Sequence, residues 1–192
     1  REERIQGLRI FCEYRDSRSF PLLLPLLDQP CPVERMSVVY ALGRNPCPSA
    51  VNKLVRLLET DDNAYVRRAT AWSLANYDNQ IVLEPLINAL KNDVAAVRLW
   101  SSSSLAEIGN VSLGNAQLAA EQLLISLKID NESGVRSNCI WSLCRLYEKL
   151  NNTYQESFVD ECTKIALFDK EPSVMEEAKT ALDSMGMQGF YN

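Results

Sequence analysis

The chain has 192 residues, 46% hydrophobic and 23% charged, a balance that suits a folded protein and excludes a disordered one. Its net charge of −5 and pI near 4.9 oppose phosphate backbones, so nucleic acid is not expected as a general partner. No apolar run approaches the roughly 18–20 residues of a membrane span; the greasiest, Phe20 to Leu27, is short and carries Pro21 and Pro25.

In chain order, two kinds of segment alternate. The chain opens at Arg1, not Met, inside a helical element at about residues 2–14 that holds Glu3-Arg4-Ile5 and reaches Phe11. No signal-peptide pattern precedes it, and further sequence upstream is expected. The same register returns from Glu34-Arg35 to Leu42, Val66-Arg67 to Leu74, Val97-Arg98 to Leu105, Val135-Arg136 to Leu143 and Val174-Met175 to Leu182. The second positions are 4, 35, 67, 98, 136 and 175, and the ninth is always a large apolar residue. These are the B helices.

Between them lie the A segments Phe20–Leu27, Ala50–Leu58, Ile81–Leu90, Ala119–Leu127 and Phe158–Leu167, with apolar residues at helical spacings of three and four. An acidic residue follows each (Asp28, Asp61 with Asp62, Asp93, Asp130, Asp169), which suits a turn or a helix N-cap. Gly43 and Gly109 stand where left-handed C-caps are expected. Pro21 suits a first turn, whereas Pro25 and Pro85 are expected to kink their helices. The last two repeats are longer, with extra residues at 110–115 and 149–154 that predict longer loops or extended helix ends. The alternation predicts an all-α stack in one domain spanning 1–192: a half repeat at 1–16, then repeats at about 17–45, 46–78, 79–112, 113–151 and 152–189.

The stretch from Asp62 to Asn79 (its centre VRRATAWSL) and the stretch from Arg15 to Leu27 (RDSRSFPLLLPLL) resemble the HEAT-like repeats of the phycobilin lyase, or E-Z type, family. The resemblance covers nearly the whole chain and implies a right-handed α-solenoid of about five HEAT-like helix pairs after the half repeat. In such repeats the second-position Arg pairs with the acidic turn of a neighbouring repeat. That role would fall on Arg4, Arg35, Arg67, Arg98 and Arg136, with Asp28, Asp62, Asp93 and Asp130 as partners, and Met175 ends the ladder. The ladder is read as a device that joins repeats, since an Arg fork on carboxylates is a common packing element.

The resemblance also places the B helices on the concave face. Positions four, five, eight and nine of each are expected to be buried (Ser37, Ala69, Ser73, Ser101, Ser104), and Trp100, at position four, to pack inward. Positions three and seven then point into the groove. They supply the candidate partner-binding ridge: Tyr40, Trp72 and Trp141, with Met36, Arg68 and Leu99. Trp, Tyr and Arg are the usual anchors of interfaces. Alternatively, the rings fold down to fill gaps between B helices, and a planar ligand such as a tetrapyrrole could use the same ridge.

Catalytic machinery is not evident. The chain has no histidine, and no phosphate loop, GxSxG elbow or metal-ligand spacing. Cys139, Cys144 and Cys162 read as core thiols of a reducing compartment, and Cys31 and Cys47 fall in turns at opposite edges of the stack. The expected function is a non-catalytic protein-binding scaffold or assembly factor, cytoplasmic, or stromal if a leader has been removed. The expected partner is another protein, for example a second HEAT-repeat subunit or a chromophore-bearing protein. The alternative is a subunit of a phycobilin lyase or a related chromophore-handling factor, with bilin as the ligand. Such lyases hold chromophore and acceptor together, so missing catalytic motifs do not exclude them. Nucleic-acid binding would need a basic stripe, and Lys53, Arg56, Arg67, Arg68 and Arg98 supply a modest one.

Overall fold

The computed structural model describes residues 2–187 and 189. Arg1, which opens the half repeat, Gln188, inside the last repeat, and residues 190–192 of the domain span lie outside the described residues. The described residues form eleven α-helices and no strand: α1 (Glu2–Glu13), α2 (Phe20–Leu23), α3 (Pro32–Arg44), α4 (Val51–Thr60), α5 (Ala64–Leu74), α6 (Leu83–Asn92), α7 (Ala95–Gly109), α8 (Leu113–Ile129), α9 (Ser133–Leu146), α10 (Asn152–Phe168) and α11 (Pro172–Ser184). Odd-numbered helices are the B helices and even-numbered ones the A helices of an α-solenoid fold. Among the described residues, no helix is long and apolar enough to cross a membrane.

The chain divides into two compact units, Arg1–Ser104 and Leu105–Asn192, the division falling within α7. In the N-terminal unit α3 packs on α1 and α5, while α4 packs on α5 and α6. Val38, Val39, Leu42, Leu54, Leu58, Val66, Leu74, Leu86 and Leu90 fill the space between these helices. In the C-terminal unit α9 packs on α8 and α11, and α10 on α8 and α11, around Leu123, Leu127, Val135, Leu143, Phe158, Val174 and Leu182. No single pair could bury its apolar stripe; neighbouring repeats supply the missing wall.

Several local expectations are corrected. Pro25 does more than kink its helix: α2 ends at Leu23 and a 3-10 segment, Leu24–Asp28, takes over, because proline cannot donate the α-helical bond. Pro85 is the third residue of α6, where the backbone N–H has no intrahelical acceptor in any case. Gly43 and Gly109 are helical and buried rather than left-handed caps; among the described residues only Gly186 and Gly189 have positive φ. Their role is close approach. A Cβ on Gly43 would lie 2.6 Å from the Trp72 ring, and one on Gly109 2.8 Å from a Leu146 methyl. The extra residues of the last two repeats extend the A helices, so α8 and α10 have 17 residues each where α4 and α6 have 10.

Turns between B and A helices are held by side chains reaching back one repeat. In the N-terminal unit Asn45 donates to the Phe11 carbonyl at 2.7 Å and accepts from the Asp16 N–H, and the Tyr77 hydroxyl donates to the Leu42 carbonyl at 3.0 Å. Burial pushes the Tyr77 hydroxyl up to about 12, so it stays a donor. In the C-terminal unit Lys149 likewise reaches back to the Asn110 carbonyl, and Gln117 within its own repeat donates to the Lys149 carbonyl.

Candidate partner-binding face

The Arg ladder fixes where the B helices stand. Asp61, Asp93, Asp130 and Asp169 are the C-cap residues of α4, α6, α8 and α10. Asp61, Asp130 and Asp169 each accept the backbone N–H two residues on, an Asx-turn that orients the carboxylate. Arg35 forks onto Asp61 through Nε and Nη2, both at 2.8 Å, and Arg67 onto Asp93, both at 2.7 Å. Arg136 forks onto Asp169 at 3.0 and 2.7 Å. The remaining nitrogen, Nη1, donates to carbonyls of the Arg's own turn: Gln29, Asp61 and Asp130 for these three, and Asp93 for Arg98.

Those hydrogen bonds to Asp61 and Asp93 hold the Arg35 and Arg67 guanidinium groups above their ordinary value. Burial works against charge on Asp169, yet the bonds from Arg136 and the Glu171 N–H win and hold that carboxyl below the usual range.

Three Arg pairings differ from expectation, that of Arg136 with Asp169 among them. Arg35 takes Asp61, not Asp62, because the C-cap carboxylate turns inward while Asp62 is exposed. Asp28 is bridged by Lys53 at 2.7 Å, while Arg4, exposed on α1, reaches the buried Glu34 at 3.3 Å.

With the helices so oriented, the outer face of α3 and α5 carries Met36 and Tyr40 on one helix and Arg68 and Trp72 on the other, all half-buried. The Tyr40 and Trp72 rings lie 5.3 Å apart, tilted by 56°. Trp72 rests over Gly43, and the Arg44 guanidinium lies 5.5 Å from its ring centroid. Arg68 stacks over Tyr65 at 5.4 Å, its Nη2 3.5 Å from the Tyr40 hydroxyl; its Nε is buried with no hydrogen-bond partner in the structure. The rings thus fill a gap between the B helices and stay partly open to solvent. Leu99 is half-buried on α7.

In the C-terminal unit Trp141 is 39% exposed on α9. Arg145 covers it at 4.8 Å and is bound to Glu107 at 2.9 Å.

Trp100 was expected inside and is 37% exposed. At about 100° per residue, position four lies within a sixth of a turn of position seven, on the outer face. Ser37, expected buried at the same position, is half-exposed, whereas Ala69, Ser73, Ser101 and Ser104 are buried. The same geometry brings in Tyr65 and Arg44, which stand outside positions three and seven. Cys139 and Cys162 are buried, and burial raises both thiols; Cys144 is half-buried, raised to about 11 by the same cause.

Open grooves run along the A-to-B turn edge. One of about 600 Å³ in the N-terminal unit is floored by Arg67 and Asp93. One of about 410 Å³ in the C-terminal unit lies over Arg136 and Asp169, beside the exposed Ile129 and Phe168. In both, the charged groups of the floor are already bonded to each other.

Comparison with known proteins gives a family match and a likeness to solved structures. The family model for HEAT repeats matches residues 1–75 and 51–144. A solved structure, the designed armadillo repeat protein YIII(Dq.V1)4CPAF in complex with peptide (KR)4, is similar in fold with a TM-score of 0.62. The two are 17% identical, over 98% of this chain and 91% of that one. None of the curated proteins compared matches. With repeats matched from residue 1 to residue 144, the chain belongs to the HEAT-repeat family.

Proposed function

We propose that the chain is a non-catalytic protein-binding scaffold that holds its partner on the solvent-facing side of its B helices, the side that lines the concave face of a HEAT solenoid. The observation that carries this reading is the Tyr40–Trp72 ring pair, half-open to solvent and flanked by Arg44 and Arg68. Aromatic and Arg side chains fixed on rigid helices lose little freedom on binding, which is why such groups anchor interfaces. Met36 beside Tyr40, with Leu99 and Trp100 on α7, adds apolar area to the same unit, and Trp141 offers a second, smaller anchor on α9. The designed armadillo protein, a helix stack of similar fold, is in complex with a peptide of Lys and Arg, which supports a protein partner here but not the charge of that partner. The Arg ladder serves as the frame. Free thiols suit a reducing compartment such as cytoplasm or stroma.

The test is affinity capture from source-cell extract with the intact chain beside a Tyr40→Ala, Trp72→Ala variant, matched by circular dichroism. Protein partners and visible absorbance are recorded together. A partner lost with the rings supports the proposal, and equal capture by both chains overturns it. A coloured eluate promotes instead the phycobilin-lyase reading, with a chromophore-bearing protein or a second HEAT-repeat subunit as partner.

A further inference from the structure

The ridge on α3 and α5 carries cations that make no ion pair among the described residues. Arg35 and Arg67 are committed to Asp61 and Asp93, but Arg9, Arg44 and Arg68 make no ion pair among the described residues. α1 carries exposed Glu2, Glu3 and Glu13, but no carboxylate is exposed on α3, on α5, or on α7 as far as Ser104; the one acidic residue in those three stretches, Glu34, is buried. An otherwise acidic chain therefore presents one face that is aromatic and positive. Arg68 is the most exacting member. Its half-buried guanidinium meets the Tyr65 ring and the Tyr40 hydroxyl but no carboxylate, so an incoming carboxylate would give it the charge-assisted partner it lacks, while its Nε stays enclosed.

From this charge complementarity we infer that the occupant of the ridge is an extended acidic peptide segment of a protein partner, its carboxylates on Arg44 and Arg68 and an apolar side chain against the exposed edge of Trp72. The inference rests on the protein-binding reading and deepens it. A nucleic acid fits less well. The Trp72 ring is already engaged by Tyr40 and by Arg44, so it offers an edge, not a free face for base stacking. Three guanidinium groups, one of them half-buried, on a chain of net charge −5 are few for a phosphate backbone.

The experiment measures fluorescence anisotropy of labelled decapeptides of alternating Glu and Ser, Lys and Ser, or Gln and Ser with the full chain at low salt. Oligouridine serves as competitor. The Glu peptide is expected to bind roughly five-fold or more tightly than the Lys peptide, as two exposed charge pairs imply. An Arg44→Glu, Arg68→Glu chain should reverse the order, and an Arg44→Gln, Arg68→Gln chain should erase it; both are checked by thermal melting. Equal binding, preference for the Lys peptide, or no binding of the Glu peptide overturns the inference, as does oligouridine binding more tightly than the Glu peptide. If the Glu peptide fails while Tyr40→Ala, Trp72→Ala still loses a captured partner, only the acidic occupant falls. If that variant keeps its partners, the ridge itself falls.

Discussion

Residues 1–104 carry thirteen Lys and Arg against twelve Asp and Glu, whereas residues 105–192 carry seven against thirteen. The same repeat is also built differently in the two units. The N-terminal unit has short A helices led in by 3-10 turns, and its Trp72 is covered by a guanidinium with no ion pair among the described residues. The C-terminal unit has A helices of 17 residues, and its Trp141 is covered by an Arg145 that Glu107 neutralises. Net charge of a repeat chain is thus a poor guide to any one face. The acidity that argues against phosphate binding belongs to the second unit, while the first presents the positive ridge.

The sharpest way to probe this contrast is the ladder. Arg136 and Asp169 are 6% and 8% exposed, Arg67 and Asp93 18% and 13%. Arg136→Ala strands a buried carboxylate and should cost about 3–5 kcal/mol. Arg67→Ala should cost about 1–3 kcal/mol, since water reaches the remaining charge. Urea unfolding with hydrogen exchange would assign each loss to its unit, and equal losses would break the comparison.

Glycine approach ranks next. Gly43→Ala meets the Trp72 ring and, at 3.2 Å, the Ser73 Cα, so it should cost about 1–3 kcal/mol and shift tryptophan emission. Gly109→Ala meets the movable methyl ends of Leu146, and the better helix propensity of alanine offsets part of the strain, leaving about 1 kcal/mol or less. Acid should act on the second unit through Asp169. Its folded pKa is depressed, so its stabilisation is present above the ordinary carboxylate pKa of about 4 and fades as pH falls below that. Asp169→Asn should be less stable at neutral pH and show a flatter acid limb in pH-resolved melts. The smallest effect belongs to Lys53→Ala, which removes an exposed bridge to Asp28 and should change stability by less than about 0.5 kcal/mol in the same assay.

The repeat was legible because Arg at the second position and an apolar residue at the ninth recur with helical spacing, and those two constraints place each B helix. Which acid takes the Arg was not legible at Asp61-Asp62: helix termination decides it, and sequence periodicity does not show which residue is the C-cap. The outer face was half legible. Tyr40 and Trp72 stand at position seven, but Tyr65, Arg44 and Trp100 needed the full angular arithmetic of the helix. Gly43 looked like a cap because it lies near the end of a B helix; its purpose is visible only once Trp72 of the next repeat is laid across it.

The forks of Arg35, Arg67 and Arg136 each hold two addresses at once, a carbonyl of their own turn and the C-cap Asp of the following A helix. Growth and loss of the chain are therefore quantised. Excising one whole repeat presents an Arg with an equivalent Asp, so a shortened protein keeps its charges matched. A break between an Arg and the next C-cap leaves one ion without its counterpart on each side. Variation in length among chains built this way should come in steps of a full helix pair.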